Sequence, residues 1–263
     1  MKVLFIGDIV GSPGRHITER RLPELLERFG IDFVIANGEN SAGGAGINRK
    51  VFEELKNIGV DCFTMGNHTW DNKELLQFID QERRIVRPAN YSPGLPGQGY
   101  QVFSLPNGEK LAVCNLIGRI YLPPADCPFA AVNAILAKLK QDAAVRYILV
   151  DFHAEATSEK MAMGWYLDGR VSAVIGTHTH IQTNDARILP RGTAYLTDVG
   201  MTGPRDSVLG VDKDIIIQKM LTNMPLRFET ARGDLQFNGV VLDLAPDGKA
   251  RAMELVNFYD PAL

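Results

Sequence analysis

Eight residues have types and positions suited to chemistry: Asp8, Glu39, Asn40, Asn67, His68, His153, His178 and His180. Each follows a short apolar run, in Ile6-Gly7-Asp8, Asn37-Gly38-Glu39-Asn40, Gly66-Asn67-His68, Val150-Asp151-Phe152-His153 and Gly176-Thr177-His178-Thr179-His180. Taken singly, most have a plainer reading. Asp8 or Asn67-His68 alone would suit a helix cap, Glu39-Asn40 a turn, and His153 a hydrogen-bonded core histidine. His178-x-His180 resists that treatment, because two imidazoles beside a glycine serve no packing purpose. The chain has five histidines and only His16 lies outside the set. Five such coincidences at strand ends favour a shared site, since ligands of an open parallel sheet bind at the carboxyl ends of its strands.

The donors are imidazole, carboxylate and amide oxygen, with no thiolate. That set suits manganese, iron or zinc, and argues against copper(I) or an iron–sulfur cluster. It is too large for one ion and fits two held roughly 3.5–4 Å apart, with Glu39 the candidate bridge. Two carboxylates against two divalent ions leave a positive surplus that attracts an anion. A phosphoryl group fits best, attacked in line by a bridging hydroxide.

The elements that must position these residues alternate. Val3 to Ile6, Phe33 to Ala36 and Cys62 to Met65 are expected strands. Arg15 to Phe29 and Arg49 to Ile58 carry helical spacing, with Pro23 expected to kink or split the first and Asn48 to cap the second before Gly59 stops it. This order implies right-handed crossovers and a parallel sheet. Residues 91–99 are turn-rich. Tyr100 to Leu105 with Lys110 to Leu116 forms a hairpin signal, and Gly239 to Leu244 with Ala250 to Val256 a second. Between them lie an expected helix from Phe129 to Lys140 and strands Tyr147 to Val150 and Val171 to Ile175. Hairpins added to such a half imply two sheets packed face to face with helices outside, within one domain spanning 1–263.

Bulk properties narrow the partners. The 263 residues are 45% hydrophobic and 22% charged, ordinary globular composition. No apolar stretch is long enough for a membrane span, and no signal-peptide pattern opens the chain. The three cysteines have no framework or zinc spacing and read as reduced thiols, so the cytoplasm is the expected compartment. The net charge of −3, with its basic runs beside glutamates, argues against an extended nucleic-acid groove and for small phosphorylated substrates. A homo-oligomer stays open. Serine-hydrolase, Walker and zincin motifs are missing. Weaker features are the glycine-rich loop Ser41 to Gly46 as a phosphate nest, Trp70 as a stacking surface, and Arg15, Arg170 and Arg191 as phosphate holders. For Met161, Met163, Trp165 and Tyr166 after His153, core packing is the favoured reading.

In combination, Gly7-Asp8, Gly66-Asn67-His68, His153 and Gly176-Thr177-His178-Thr179-His180 resemble the calcineurin-like metallophosphoesterase superfamily. The opening Met1-Lys2-Val3-Leu4-Phe5-Ile6-Gly7-Asp8-Ile9-Val10-Gly11, with Asn37-Gly38-Glu39-Asn40 and Asp198-Val199-Gly200-Met201-Thr202-Gly203, is similar to its bacterial YmdB-like subfamily nearly end to end. The resemblance implies a four-layer α/β/β/α sandwich of two mixed sheets and a dinuclear centre, often iron or manganese. One ion would be held by Asp8, Glu39, Asn40 and His180, the other by Glu39, Asn67, His153 and His178, with His68 as general acid. It also implies phosphodiesterase activity, notably toward 2′,3′-cyclic nucleotides, with 3′,5′-cyclic ones a further candidate. Two positions depart from the wider superfamily. Val10 stands where a histidine is usual, which assigns Asn40 as its neutral replacement, and Glu39 stands for the usual bridging aspartate. A phosphomonoesterase, or a metal-binding regulatory protein with little turnover, are the alternatives.

Overall fold

The computed structural model describes residues 1–261. Its first half contains β1 (Lys2–Ile6), β2 (Asp8–Ile9), α1 (Gly11–Phe29), β3 (Phe33–Asn37), α2 (Arg49–Asn57), β4 (Cys62–Thr64), β5 (Ile85–Val86), β6 (Tyr100–Ser104) and β7 (Lys110–Ile117). The second half contains α3 (Pro128–Leu139), β8 (Val145–His153), α4 (Thr157–Leu167), β9 (Ala173–Thr177), β10 (Arg187–Ile188), β11 (Ala194–Leu196), β12 (Met201–Pro204), α5 (Lys213–Thr222), β13 (Leu235–Leu244) and β14 (Ala250–Asp260).

Side-chain alternation along the central strands decides the layering, because successive residues of a strand point to opposite faces. On β1, Val3 and Phe5 join a core shared with Leu111, Val113, Leu149 and Ile175 of the other sheet. Leu4 and Ile6 face Ile17, Leu22 and Leu25 of α1 and Val51, Phe52 and Leu55 of α2. On β7, Ala112, Cys114 and Leu116 turn outward onto Val132 and Leu136 of α3 and Met163 and Leu167 of α4. Three apolar layers therefore separate four structural ones, giving the α/β/β/α sandwich.

The first sheet runs β2-β12-β13-β1-β3-β4-β5, with β14 paired along β13. Strands β1, β3, β4 and β5 are mutually parallel, and β13 lies antiparallel to β1. The second runs β10-β11-β9-β8-β7-β6, parallel from β11 to β7 with antiparallel edges. Both expected hairpins form, with Tyr100 opposite Cys114 in one and Gly239 opposite Val256 in the other.

Two local expectations need correction. Helix α1 starts at Gly11, four residues early, and runs unbroken through Pro23. Proline removes one donor from the ladder, but Leu22 and Leu25 beside it are fully buried, and tertiary packing holds the helix across the defect. On α4, Met163 is buried as expected, whereas Met161, Trp165 and Tyr166 are exposed. The short strands β2, β5, β10, β11 and β12 and helix α5 carry too little periodicity to be read from sequence. Cys62, Cys114 and Cys127 are free thiols. Burial pushes Cys114 up to about 12, which makes it a packing residue and not a nucleophile. Among the described residues, no helix is long and apolar enough to cross a membrane.

Candidate metal centre

All eight residues singled out from the sequence meet at one end of the sandwich. The expectation that they share one sheet edge is corrected by the topology. Asp8, Glu39-Asn40 and Asn67-His68 follow β1, β3 and β4 of the first sheet, while His153 ends β8 and His178 follows β9 of the second. The two parallel strand sets end side by side, so the donors converge across the gap between sheets.

Glycines make the convergence sterically possible. A Cβ on Gly7 would lie 2.1 Å from the carbonyl oxygen of Gly200, whose backbone receives the Asp8 N–H at 3.0 Å. A Cβ on Gly66 would lie 2.4 Å from His153 Nε2 and 2.5 Å from Glu39 Oε2, inside the site itself. His178 and His180 both have left-handed backbones, φ 99° and 64°. Non-glycine residues rarely adopt such angles, and strain of this kind is retained where the surroundings over-determine it.

Those surroundings are a buried ion pair. Lys160 Nζ on α4 donates to Asp198 Oδ2 at 2.6 Å and to the Thr177 carbonyl at 2.7 Å, with both charged side chains essentially inaccessible. Asp198 Oδ2 also accepts the N–H of Thr179, between the two histidines, and Oδ1 accepts that of Gly200. Sequence reading placed Asp198 in a motif but gave it no role, and passed over Lys160, whose helical position carries no chemical signature.

Two donor groups result. In the first, His153 Nε2 lies 3.0 Å from Glu39 Oε1, 2.9 Å from Asn67 Oδ1 and 3.1 Å from His178 Nδ1. One ring nitrogen carries at most one hydrogen and cannot serve three acceptors, whereas a cation among the four satisfies all of them. Ligand atoms of Glu39, His153 and His178 lie within 4.8 Å of one another. The tautomer is fixed from behind: Thr177 Oγ1 donates its only hydrogen to Asp151 at 2.7 Å, so it accepts from His153 Nδ1 at 2.9 Å and leaves Nε2 facing the site.

The second group is Asp8, Asn40 and His180. His180 Nδ1 donates to the Leu209 carbonyl at 3.0 Å, directing Nε2 toward the Asn40 amide at 3.2 Å and Asp8 Oδ1 at 3.7 Å. Asp8 Oδ1 is buried with no hydrogen-bond partner, a costly arrangement unless a cation meets it. Glu39 stands between the groups, with Oε1 3.5 Å from Asn40 Nδ2 as well as 3.0 Å from His153.

The electrostatics of these groups suit a cation among them. Burial raises the Asp8 carboxyl well above its usual range, and its carboxylate neighbours Glu39, Asp198 and Asp151 add to the rise against His153. Burial would also raise Glu39, but the adjoining His153 and His68 take it down to about 2. Burial would lower His153, yet Glu39 and Asp8 hold it up to about 9. Burial and the charge of His153 push His178 down to about 3, so it is a neutral donor. The residues thus fit divalent cations.

His68 sits apart from both groups. Its backbone N–H donates to Glu39 Oε2 at 2.8 Å, while its ring Nδ1 pairs with Asp71 Oδ2 at 2.7 Å. Asp71, three residues on, was missed in the sequence, although His-x-x-Asp spacing could have flagged it. Of the weaker features, Gly43, Gly44 and Ala45 border the cleft over His68 and His180. Arg15 is engaged by Glu54 and the Ser41 carbonyl, Arg170 by Asn133 and Tyr166, and Trp70 packs partly buried on the helical core.

The fold recurs in known proteins. The family model described as YmdB-like protein matches residues 4–256. A 2′,3′-cyclic-nucleotide 2′-phosphodiesterase of Bacillus subtilis strain 168 is 53% identical over 246 residues, covering 93% of this chain and 91% of the relative. A solved hypothetical protein of Thermus thermophilus is 42% identical at TM-score 0.93, over 99% of this chain and 100% of its own. A solved Mycoplasma pneumoniae protein described as a novel phosphatase is 36% identical, also at TM-score 0.93, over 100% and 94%.

Proposed function

The chain belongs to the YmdB-like family, and from that premise and the site's geometry we propose that it is a phosphodiesterase, dependent on two metal ions, which hydrolyses small cyclic nucleotides of the 2′,3′ type. The observation that carries the reading is Glu39, whose one carboxylate adjoins both donor groups. In this reading Asp8, Glu39, Asn40 and His180 hold one ion, and Glu39, Asn67, His153 and His178 the other. Iron or manganese suits this nitrogen and oxygen donor set. When bound, such a pair polarises phosphoryl oxygens and makes a water acidic enough to serve as nucleophile at neutral pH.

The chain's own residues do the rest. His68 borders the cleft, and its Nδ1 contact with Asp71 leaves Nε2 as the ring nitrogen available to a substrate. A protonated His68 held by the Asp71 carboxylate delivers its Nε2 hydrogen to the departing ribose oxygen, the step that a poor leaving group requires. The Thr177–Asp151 relay keeps the His153 lone pair aimed inward, and the Lys160–Asp198 pair holds the two-histidine loop in its strained form. The identity with the Bacillus subtilis enzyme supports the diester substrate. A phosphomonoesterase has the description of the Mycoplasma pneumoniae protein in its favour.

The deciding experiment is hydrolysis of 2′,3′-cAMP, 3′,5′-cAMP and 5′-AMP by protein loaded with manganese or iron, beside Glu39→Gln. Turnover of the 2′,3′ diester that vanishes in Glu39→Gln is the expected result. Release of phosphate from 5′-AMP alone would transfer the assignment to a monoesterase. Binding of metal and nucleotide with no turnover would leave a regulatory protein.

A further inference from the structure

The cleft above the candidate centre has a volume of about 380 Å³, within the roughly 300–1,000 Å³ of small-ligand sites. Its floor is polar and supplied by Asn40, His68 and His180, whereas Val10, Leu209 and Phe228 give it an apolar wall. Leu209 is 46% exposed and Phe228 47% exposed. Val10 lies just before α1, whereas Leu209 and Phe228 lie on a segment that leaves β12 and returns to β13. Within it, isolated bridges pair Val208 with Val211 and Val211 with Thr230, and the Asp212 N–H donates to the Glu229 carbonyl.

This segment is anchored on the site. Leu209 has a left-handed backbone, φ 54°, unusual for a bulky residue, and its carbonyl accepts from His180 Nδ1 at 3.0 Å. The turn is held by the Gly210 N–H donating to Ser207 Oγ at 2.9 Å and the Ala231 N–H to the Gly210 carbonyl at 2.9 Å. The contact that orients His180 thus also fixes the wall beside it. An aromatic ring left half exposed in a concavity, next to donors suited to a phosphoryl group, matches a ligand with one anionic end and one flat apolar end.

We propose that Phe228 and Leu209 form a nucleobase subsite, with Phe228 as the stacking residue and the base lying against the wall while the phosphoryl group rests on the floor. The subsite rests on the cyclic-nucleotide reading above. Lys219 Nζ lies 4.4 Å from the Phe228 ring centroid. Stacking is tolerant of base identity, so adenine, guanine and the pyrimidines are all accepted, with the larger rings held better.

The test uses metal-loaded wild type, Phe228→Ala, Phe228→Trp and Leu209→Ala. Two readouts are compared: kcat/KM for 2′,3′-cAMP relative to the base-free methyl riboside 2′,3′-cyclic phosphate, and binding of the fluorescent base analogue ethenoadenosine monophosphate. The expected result is an on-the-order-of tenfold fall in the nucleotide-to-riboside ratio for Phe228→Ala, carried by KM and restored by Phe228→Trp, with a matching loss of analogue binding. Leu209→Ala follows in the same direction. An unchanged ratio, or variants that alter only the oligomeric state, would overturn the subsite. A wild type that hydrolyses neither ester removes the proposed function alone, because the analogue still decides the subsite: binding that depends on Phe228 keeps it, and binding indifferent to Phe228 ends it.

Discussion

At His153 Nε2, three acceptors surround one ring nitrogen, and that crowding has a measurable consequence. With no cation present, Glu39 and Asp8 hold the imidazole up to about 9, so it carries a proton at neutral pH. A metal ion needs the same electron pair, and metal uptake must therefore expel that proton. The sign follows directly: below about pH 9 the proton competes, so apparent metal affinity rises by up to about tenfold per pH unit toward 9 and levels off above it. Calorimetric titration with manganese near neutral pH, in two buffers of different ionisation enthalpy, should give heats that differ by at least one proton's worth. Buffer-independent heats would sink the assignment. His68 makes a second residue-scale prediction. Its replacement by alanine should lower kcat by roughly 10²–10⁴-fold for a ribose leaving group and far less for p-nitrophenolate esters, which need no proton. Equal losses on both would remove the general-acid role.

At the scale of elements, the loop after β9 depends on α4. Lys160 reaches from the helix into a volume closed to water, where it neutralises Asp198 and caps the Thr177 carbonyl. Lys160→Met leaves Asp198 charged and buried, which costs about 3–5 kcal/mol, readable by urea denaturation. The same variant should also lose metal per chain by elemental analysis at temperatures where it stays folded, because His178 and His180 are released from their left-handed backbones. Asp198→Asn combined with Lys160→Met should recover part of the stability but not the metal. A double variant that regains full occupancy would show the pair to be structural only.

The whole molecule is held by the layer between the sheets, which also keeps the two sets of strand ends side by side. Phe5 lies fully buried in that layer among Leu111, Leu149 and Ile175. Phe5→Ala should cost about 3–5 kcal/mol in urea unfolding. Metal affinity should fall with it, since Asp8 lies just beyond Phe5 on the same chain segment. A loss of stability with unchanged affinity would mean that the site holds itself together independently of the inter-sheet core.

How much of this was legible in the sequence differs by kind of information. Strand ends followed by Asp, Glu, Asn and His marked the candidate ligands, because ligand chemistry is local in type and the apolar run before each marks a buried strand. All eight residues meet in the fold, and both hairpins and the two-sheet sandwich were readable from period-two alternation and turn residues. Helix α1 was misjudged at Pro23, because burial of Leu22 and Leu25 outweighs a missing donor, and burial is a tertiary quantity. The partners of the donors were invisible for a related reason. Lys160 and Asp198 are 38 residues apart, and Thr177 and Asp151 are 26 apart, so no spacing rule links them. The same holds for Leu209 and Phe228, which carry no motif and become a wall only because their segment folds back over His180. Residue types along the chain dictate which atoms are available to hold a cation. Which of those atoms face each other, which tautomer each histidine adopts and what borders them follow from packing, because such properties depend on distances between segments far apart in the chain.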